Sequence, residues 1–212
     1  MQATIILGIL LRSFNPLWRK IALAGLIIET PRLILRTWTT ADIEPYYHIN
    51  QDLKVIQFLR GPLSEAEIQE FIHLKNQQQV ERGYTLWAAQ LKKTAELLGF
   101  IGLNYTDWPA HFTPAVEISW RLGSMHWNQG YATEGAKAAL AYGFNTVGLN
   151  EIVSFTIPAN RPSIRVMEKI GLICHEKGDF AHPRLPAHHP LSHHILYRLT
   201  REAYFTQHHH GL

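Results

Sequence analysis

The stretch that most limits how this chain can fold lies between residues 115 and 147, where the apolar period changes once. In AVEISWRL, 115–122, Val116, Ile118, Trp120 and Leu122 alternate with Glu117, Ser119 and Arg121, the two-residue period of a strand. Further on, Ala136, Ala139, Leu140, Phe144 and Val147 recur at helical spacing, so one stripe of that helix packs on a sheet. Between them lies a polar loop with Gly130, Ala132 and Thr133 and without a lysine. The strand therefore leads into a helix with a bare N-terminus. Such an end offers unpaired N–H groups and a partial positive charge, and a phosphate binds there without a side chain. Gly130 permits backbone conformations closed to other residues and a close approach of ligand. Ala132 leaves that approach clear, and Thr133 adds a hydroxyl. Glu134 would repel a phosphate and is expected to point away. Neither a GxxxxGK[ST] loop nor a GxGxxG fingerprint is present. Taken alone, the stretch also fits an ordinary glycine-containing turn before a core helix.

The flanking sequence supplies the rest of a sheet. RLILRTW, 32–38, reads as a strand, and Thr39 or Thr40 caps a helix to about residue 50. Ser64 with Glu67 forms a capping box for a helix to about residue 80, ended by Gly83. Residues 84–91 and 97–106 bracket a polar turn as a hairpin. After a stop at Gly148 come a strand at 151–158, a helix at 160–171 capped by Asn160, a strand in LICHEK at 172–177 and a last strand at 194–200. A hairpin run mixed with crossovers predicts an α+β fold, a mostly antiparallel sheet with helices on both faces.

At 212 residues the chain suits one domain, placed at 29–202. A formal charge of +3 without a Lys/Arg-rich run argues against a nucleic-acid partner and suits a small anionic ligand equally well. Cys174 is the only cysteine, which excludes an internal disulfide and favours a reducing, cytoplasmic setting; its apolar run predicts a buried, inert thiol. In residues 1–28 two apolar runs are separated by Arg12, Pro16, Arg19 and Lys20, and neither reaches the roughly 20 residues a transmembrane helix needs. MQAT lacks the positive charge of a signal peptide, although Ala22-Leu23-Ala24 resembles a cleavage site. The extension is expected to be a poorly ordered tail or an over-extended start, with a peripheral membrane anchor as the alternative. Residues 203–212 read as a histidine-containing tail. His182, His188, His189, His193 and His194, then His208, His209 and His210, tempt a metal reading, but zinc wants about four ligands in fixed geometry and adjacent strand histidines face opposite ways. No metal is expected, and the Pro- and His-rich loop 178–192 reads as the rim of a substrate site.

A second polar cap, Asn160-x-x-Ser163, follows one strand after the first helix. With it, VEISWRLGSMHWNQGYATEGAKAALAYGF and LNEIVSFTIPANRPSIRVMEKIGL resemble the acetyl-coenzyme A core of the GNAT superfamily of N-acetyltransferases. The likeness is greatest to the RimJ/RimL-like branch, whose first strand and helix TPRLILRTWTTADIEPYY resembles. It covers roughly residues 29–200. The superfamily's pyrophosphate loop, Q/R-x-x-G-x-G/A, aligns with Trp127-Asn128-Gln129-Gly130-Tyr131-Ala132. Its first position is Trp here, and because backbone amides bind the phosphates, binding is expected to survive.

The resemblance implies an acetyl-CoA-dependent N-acetyltransferase, in which a primary amine of a protein N-terminus or small molecule attacks the thioester directly in a ternary complex. It implies fourth and fifth strands that splay apart, with Trp120, Arg121 and Leu122 holding the pantetheine arm by main chain. Gln129, Gly130, Tyr131, Ala132 and Thr133 would hold the pyrophosphate, and Asn160 would bond the arm. Many relatives use a Tyr acid where this chain has Met167; Ser163 is the proton donor expected instead. Glu117 is the expected base, with His111 as second candidate. Loops 106–114 and 178–192 and the helices within 40–80 would shape the acceptor pocket, with Trp38, Trp87, Trp108 and Phe112 as lining candidates. A catalytically silent CoA-binding module is the alternative, and a homodimer is possible.

Overall fold

The computed structural model describes residues 25–186 and 188–209. The expectations for residues 1–24, and for the end of the tail at 210–212, lie outside the described residues. Among the described residues nine strands form one sheet in the order β1-β2-β3-β4-β5-β6-β9-β7, with β8 paired to β9. They are β1 (Leu26–Glu29), β2 (Leu33–Arg36), β3 (Leu86–Leu91), β4 (Leu97–Thr106), β5 (Ala115–Leu122), β6 (Glu151–Thr156), β7 (Ile173–Cys174), β8 (Phe180–Ala181) and β9 (His193–Thr200). Every pairing is antiparallel except β5 with β6, which is parallel and registered at one pair, Glu117 with Val153.

Helices cover both faces. On one lie α1 (Ile43–Ile49), the short α2 (Leu53–Ile56) and α3 (Glu65–Arg82). There Tyr46, Ile68 and Ile72 pack with Trp38, Leu86, Ala88 and Phe100. On the other lie α4 (Tyr131–Tyr142), α5 (Arg161–Lys169) and α6 (Arg201–His209), with Ala136, Ala139, Leu140, Ile164, Met167 and Tyr204 against Leu33, Leu35, Ile101, Leu103 and Ile118. The small residues of α4 let it ride low on the sheet: a Cβ at Gly135 would come within 2.4 Å of the Ile101 side chain. The caps fall where the sequence puts them, with the reciprocal Ser64–Glu67 box opening α3 and Gly83, at φ 76°, closing it.

The sheet departs from the expectations at its edges. β1 pairs with β2, so residues from Leu26, ahead of the expected boundary at 29, take part in the sheet. The expected tail is helical through His209 because Tyr204 stacks on Phe144 at 4.7 Å. The LICHEK strand shrinks to two residues, and Cys174 is exposed rather than buried. β7 lies at the end of the sheet path, so its apolar residues have a neighbour on one side only. No described helix is long and apolar enough to cross a membrane.

Candidate active site

The single β5–β6 pair makes the sheet part beyond Glu117. In the β4–β5 ladder Gly99 registers with Leu122 and Phe100 with Arg121, and Gly123 N–H donates to Leu98 O at 2.9 Å. In an antiparallel ladder the N–H and C=O groups alternate in direction. Arg121 therefore turns its peptide groups toward β4, while Ile118, Trp120 and Leu122 turn theirs toward the gap. Two of the gap-facing carbonyls are taken: Ser154 Oγ donates to Ile118 O at 2.9 Å and Trp127 Nε1 to Leu122 O at 2.8 Å. Trp120 is left facing the gap with its main chain. The Arg121 side chain crosses to Asn50 Oδ1 behind α1.

At the wide end of the gap stands the N-terminus of α4. Gly130 is its N-cap at φ 82°, with no side-chain cap, and Asn128 also adopts a left-handed conformation at φ 61°. Left-handed residues of this kind curl successive N–H groups into a concave anion cradle. The first intrahelical bond is Glu134 N to Gly130 O, so the amides before Glu134 precede the helical ladder. Glu134 does point away. Its carboxylate accepts from Thr30 Oγ1 at 2.7 Å, Arg32 N at 2.9 Å and Arg32 Nε at 2.6 Å. Burial raises its pKa, but those bonds outweigh burial and hold it below the ordinary value. Arg32 also donates to Gln129 O at 2.9 Å and lies over the Tyr131 ring, so the turn between β1 and β2 braces the loop from behind. Trp127, where the motif has Gln or Arg, anchors the loop to the end of β5 through its indole.

The gap widens into a cavity of about 620 Å³. Its walls include Trp120, Arg121, Leu122, Gly130, Tyr131, Ala132, Thr133, Asn160, Ser163 and Glu117. Gln129 is absent from that lining; its side chain bonds Met125 O instead. Glu117 lies at the apex of the gap, beside Val153. Burial pushes its carboxyl up to about 7, against a hydrogen bond from Ser119 and the positive charges of Lys75 and Arg184, which pull it down. Burial also lowers Lys75, whose ammonium donates to Asn104 Oδ1 at 2.6 Å.

A family profile described as Acetyltransferase (GNAT) domain matches residues 32–173. This chain belongs to the GNAT acetyltransferase family. It is 32% identical over 146 residues to the uncharacterized protein YkkB of Bacillus subtilis strain 168, covering 68% of this chain and 84% of that one. It is 31% identical over 146 residues to an uncharacterized N-acetyltransferase, YnaD, of the same strain, covering 68% and 81%. A GNAT-family acetyltransferase structure from Bacillus anthracis superposes with a TM-score of 0.67 at 27% identity, covering 82% of this chain and 98% of the other. The GNAT chain described here is thus an acyltransferase, and the family uses acetyl-CoA as co-substrate.

On this GNAT frame the remaining expected residues fall on both sides of the cavity wall. Asn160 Oδ1 caps α5 by accepting from Ser163 N at 3.3 Å, which points that helix start into the cavity. Met167 is buried in the core. His111 is exposed, its ring 5.4 Å from Phe112, and it is not among the lining residues. Of the aromatic candidates, Trp108 lines the cavity, whereas Trp38 and Trp87 are buried core. Phe112 packs edge-on behind Trp108 at 5.6 Å. The loop 178–192 does bring His182, Arg184 and, with the start of β9, His194 to the cavity. Among the described residues no group of three or more His, Cys, Asp or Glu side chains is placed to hold a metal ion. Sequence reasoning missed Lys75, Asn104, Ser119 and Arg184 around Glu117; only their three-dimensional proximity marks them.

Proposed function

We propose that this GNAT enzyme is an acetyl-CoA-dependent N-acetyltransferase of the RimJ/RimL-like branch, acting on a primary amine of a small molecule or protein N-terminus in a ternary complex. The supporting observation is that one cavity holds both the uncapped α4 N-terminus and the desolvated Glu117 carboxyl. Bound acetyl-CoA supplies an activated acyl thioester. The amides preceding Glu134 suit its diphosphate, and the open edge of β5 suits its amide-bearing arm.

Glu117 takes the proton that the acceptor nitrogen sheds as the new C–N bond forms. A carboxylate poised near 7 is half ionised at neutral pH and basic enough for that transfer. Trp120 N–H, facing the gap, polarises the acyl oxygen. Ser163 gives a proton to the sulfur as the C–S bond breaks. The RimJ/RimL-like assignment is supported by Trp127 at the head of the loop motif and by Ser163 on a helix whose usual acid position is Met167. The single cysteine suits a reducing, cytoplasmic setting.

Thiol release from acetyl-CoA across an amine panel tests this reading, with coenzyme A binding followed by calorimetry. Turnover with at least one amine is the expected result. Binding without turnover on any amine would instead make the chain a silent CoA-binding module.

A further inference from the structure

The acceptor half of the cavity has a chemical character of its own. Trp108, Phe155, His182 and His194 form one wall, and Val55, Phe58 and Leu59 lie on the lining with them. The rings are in mutual contact: Trp108 to His182 at 4.9 Å, His182 to His194 at 5.1 Å and Phe155 to His194 at 6.0 Å. Burial, and then the neighbouring charges of His194, Arg184 and Arg60, push His182 down to about 4, and burial lowers His194. At neutral pH both rings are uncharged and serve as aromatic surface.

Arg184, an exposed residue, is also on the cavity lining. Its backbone is fixed by His182, whose Nδ1 accepts from Arg184 N at 3.2 Å. Its guanidinium makes no hydrogen bond or ion pair among the described residues, and its charge is close enough to act on Glu117. The other cationic lining residues are placed differently. Arg121 is tied to Asn50, and Arg165 and Lys169 lie on α5, the helix of Ser163. Lys75 adds positive charge behind the Glu117 wall through Asn104. The acidic lining residues are Glu117 and Asp107. A guanidinium is a permanent cation with a donor fork that matches a carboxylate. An unpaired one beside a carboxyl base and an apolar wall leaves room for a ligand with three features: an amine, an anionic group close to it and an apolar body.

We infer that the acceptor is a small amino-carboxylate of the α-amino-acid type with an apolar side chain, its amine at Glu117, its carboxylate at Arg184 and its side chain against Trp108 and Phe155. This rests on the acetyl-transfer reading for the amine, but the recognition by Arg184 is separable from it. A polyamine carries no group for Arg184 and brings extra positive charge toward it and Lys75. A peptide N-terminus has an amide where the carboxylate would sit.

The test compares L-phenylalanine, L-phenylalaninamide and spermidine on the full chain, by calorimetric binding in the presence of coenzyme A and by acetylation rate. The amide holds more neutral amine near pH 8, so amine basicity works against the expected order. With a charge-assisted pair at stake, L-phenylalanine is expected to bind at least about tenfold more tightly than the amide, and more tightly than spermidine. Arg184→Gln, in an exposed loop, is expected to bring the acid-to-amide ratio to within about twofold, and Arg184→Lys to restore part of it. Equal or tighter binding of the amide or spermidine overturns the inference, as does an unchanged ratio in Arg184→Gln. Thiol release from no acceptor at all, with the binding order intact, would overturn the acetyl-transfer reading and leave the carboxylate site standing.

Discussion

Replacing Glu117 by Gln separates what the carboxyl contributes to catalysis from what it does to stability. The folded chain holds the Glu117 proton more tightly than the unfolded chain, raising its pKa from 4.5 to about 7. Below pH 4.5 the carboxyl is neutral in both states and burial carries no ionisation penalty. As pH rises through 7 the folded state is left with an ionised, desolvated group, and stability falls. The rise corresponds to at most about 3 kcal/mol; water reaching the group through the cavity reduces that, so about 1–3 kcal/mol is the working range. Glu117→Gln removes the penalty while keeping the shape. The variant is therefore expected to melt higher than the parent at pH 8, by roughly 2–10 °C for a chain of this size, and at nearly the same temperature near pH 4. Its kcat/KM is expected to fall by about 10²–10⁴, and the rise in activity with an inflection near 7 should vanish with it. Thermal melts at the two pH values and a pH–rate profile by thiol release check both halves. A variant that keeps activity within about threefold, or that gains no stability at pH 8, refutes the reasoning.

Three further outcomes concern the scaffold around the site. Gly130→Ala forces a side chain onto φ 82° with its Cβ 3.3 Å from Arg32 Nη2; a loss of about 1–2 kcal/mol is expected, with weaker coenzyme A binding by calorimetry. Asp42→Ala strands the buried Arg36 guanidinium, which now makes two 2.7 Å bonds to that carboxylate; denaturant unfolding should show a loss of about 3–5 kcal/mol. Ser163→Ala should lower kcat by about a hundredfold at saturating acetyl-CoA if its hydroxyl protonates the thiolate, while full activity would show that another donor serves.

What was legible in the sequence was local. The capping box at Ser64, the stop at Gly83 and the alternation of β5 involve residues a few positions apart, where backbone geometry alone sets the outcome. The bare start of α4 was legible for the same reason. Its bracing was not: Arg32 and Glu134 are 102 residues apart, and nothing in either segment marks the other as partner. The carboxyl of Glu117 could be named from its strand, but its raised pKa depends on walls contributed by other elements. Arg184 lies in a loop whose sequence is marked by histidines and prolines, and only its place on the cavity lining distinguishes it. Apolar content alone separates neither edge from core nor core from cavity wall. Cys174 follows Leu172 and Ile173 yet is exposed on β7, which has a neighbour on one side only, while Trp38 and Trp87, candidates for the cavity by sequence, belong to the two core layers.

The parting of β5 from β6 has a mechanical consequence. With one registered pair and the Ser154-to-Ile118 stitch, β1–β5 and β6–β9 meet along a line of few main-chain bonds, although one core packs beneath both. A ligand in the crevice would touch residues on both sides of that line, among them Trp120 and Phe155, and would add bonds where the sheet itself has few. Amides flanking the stitch should then report occupancy by slower hydrogen exchange, even though no ligand atom touches them.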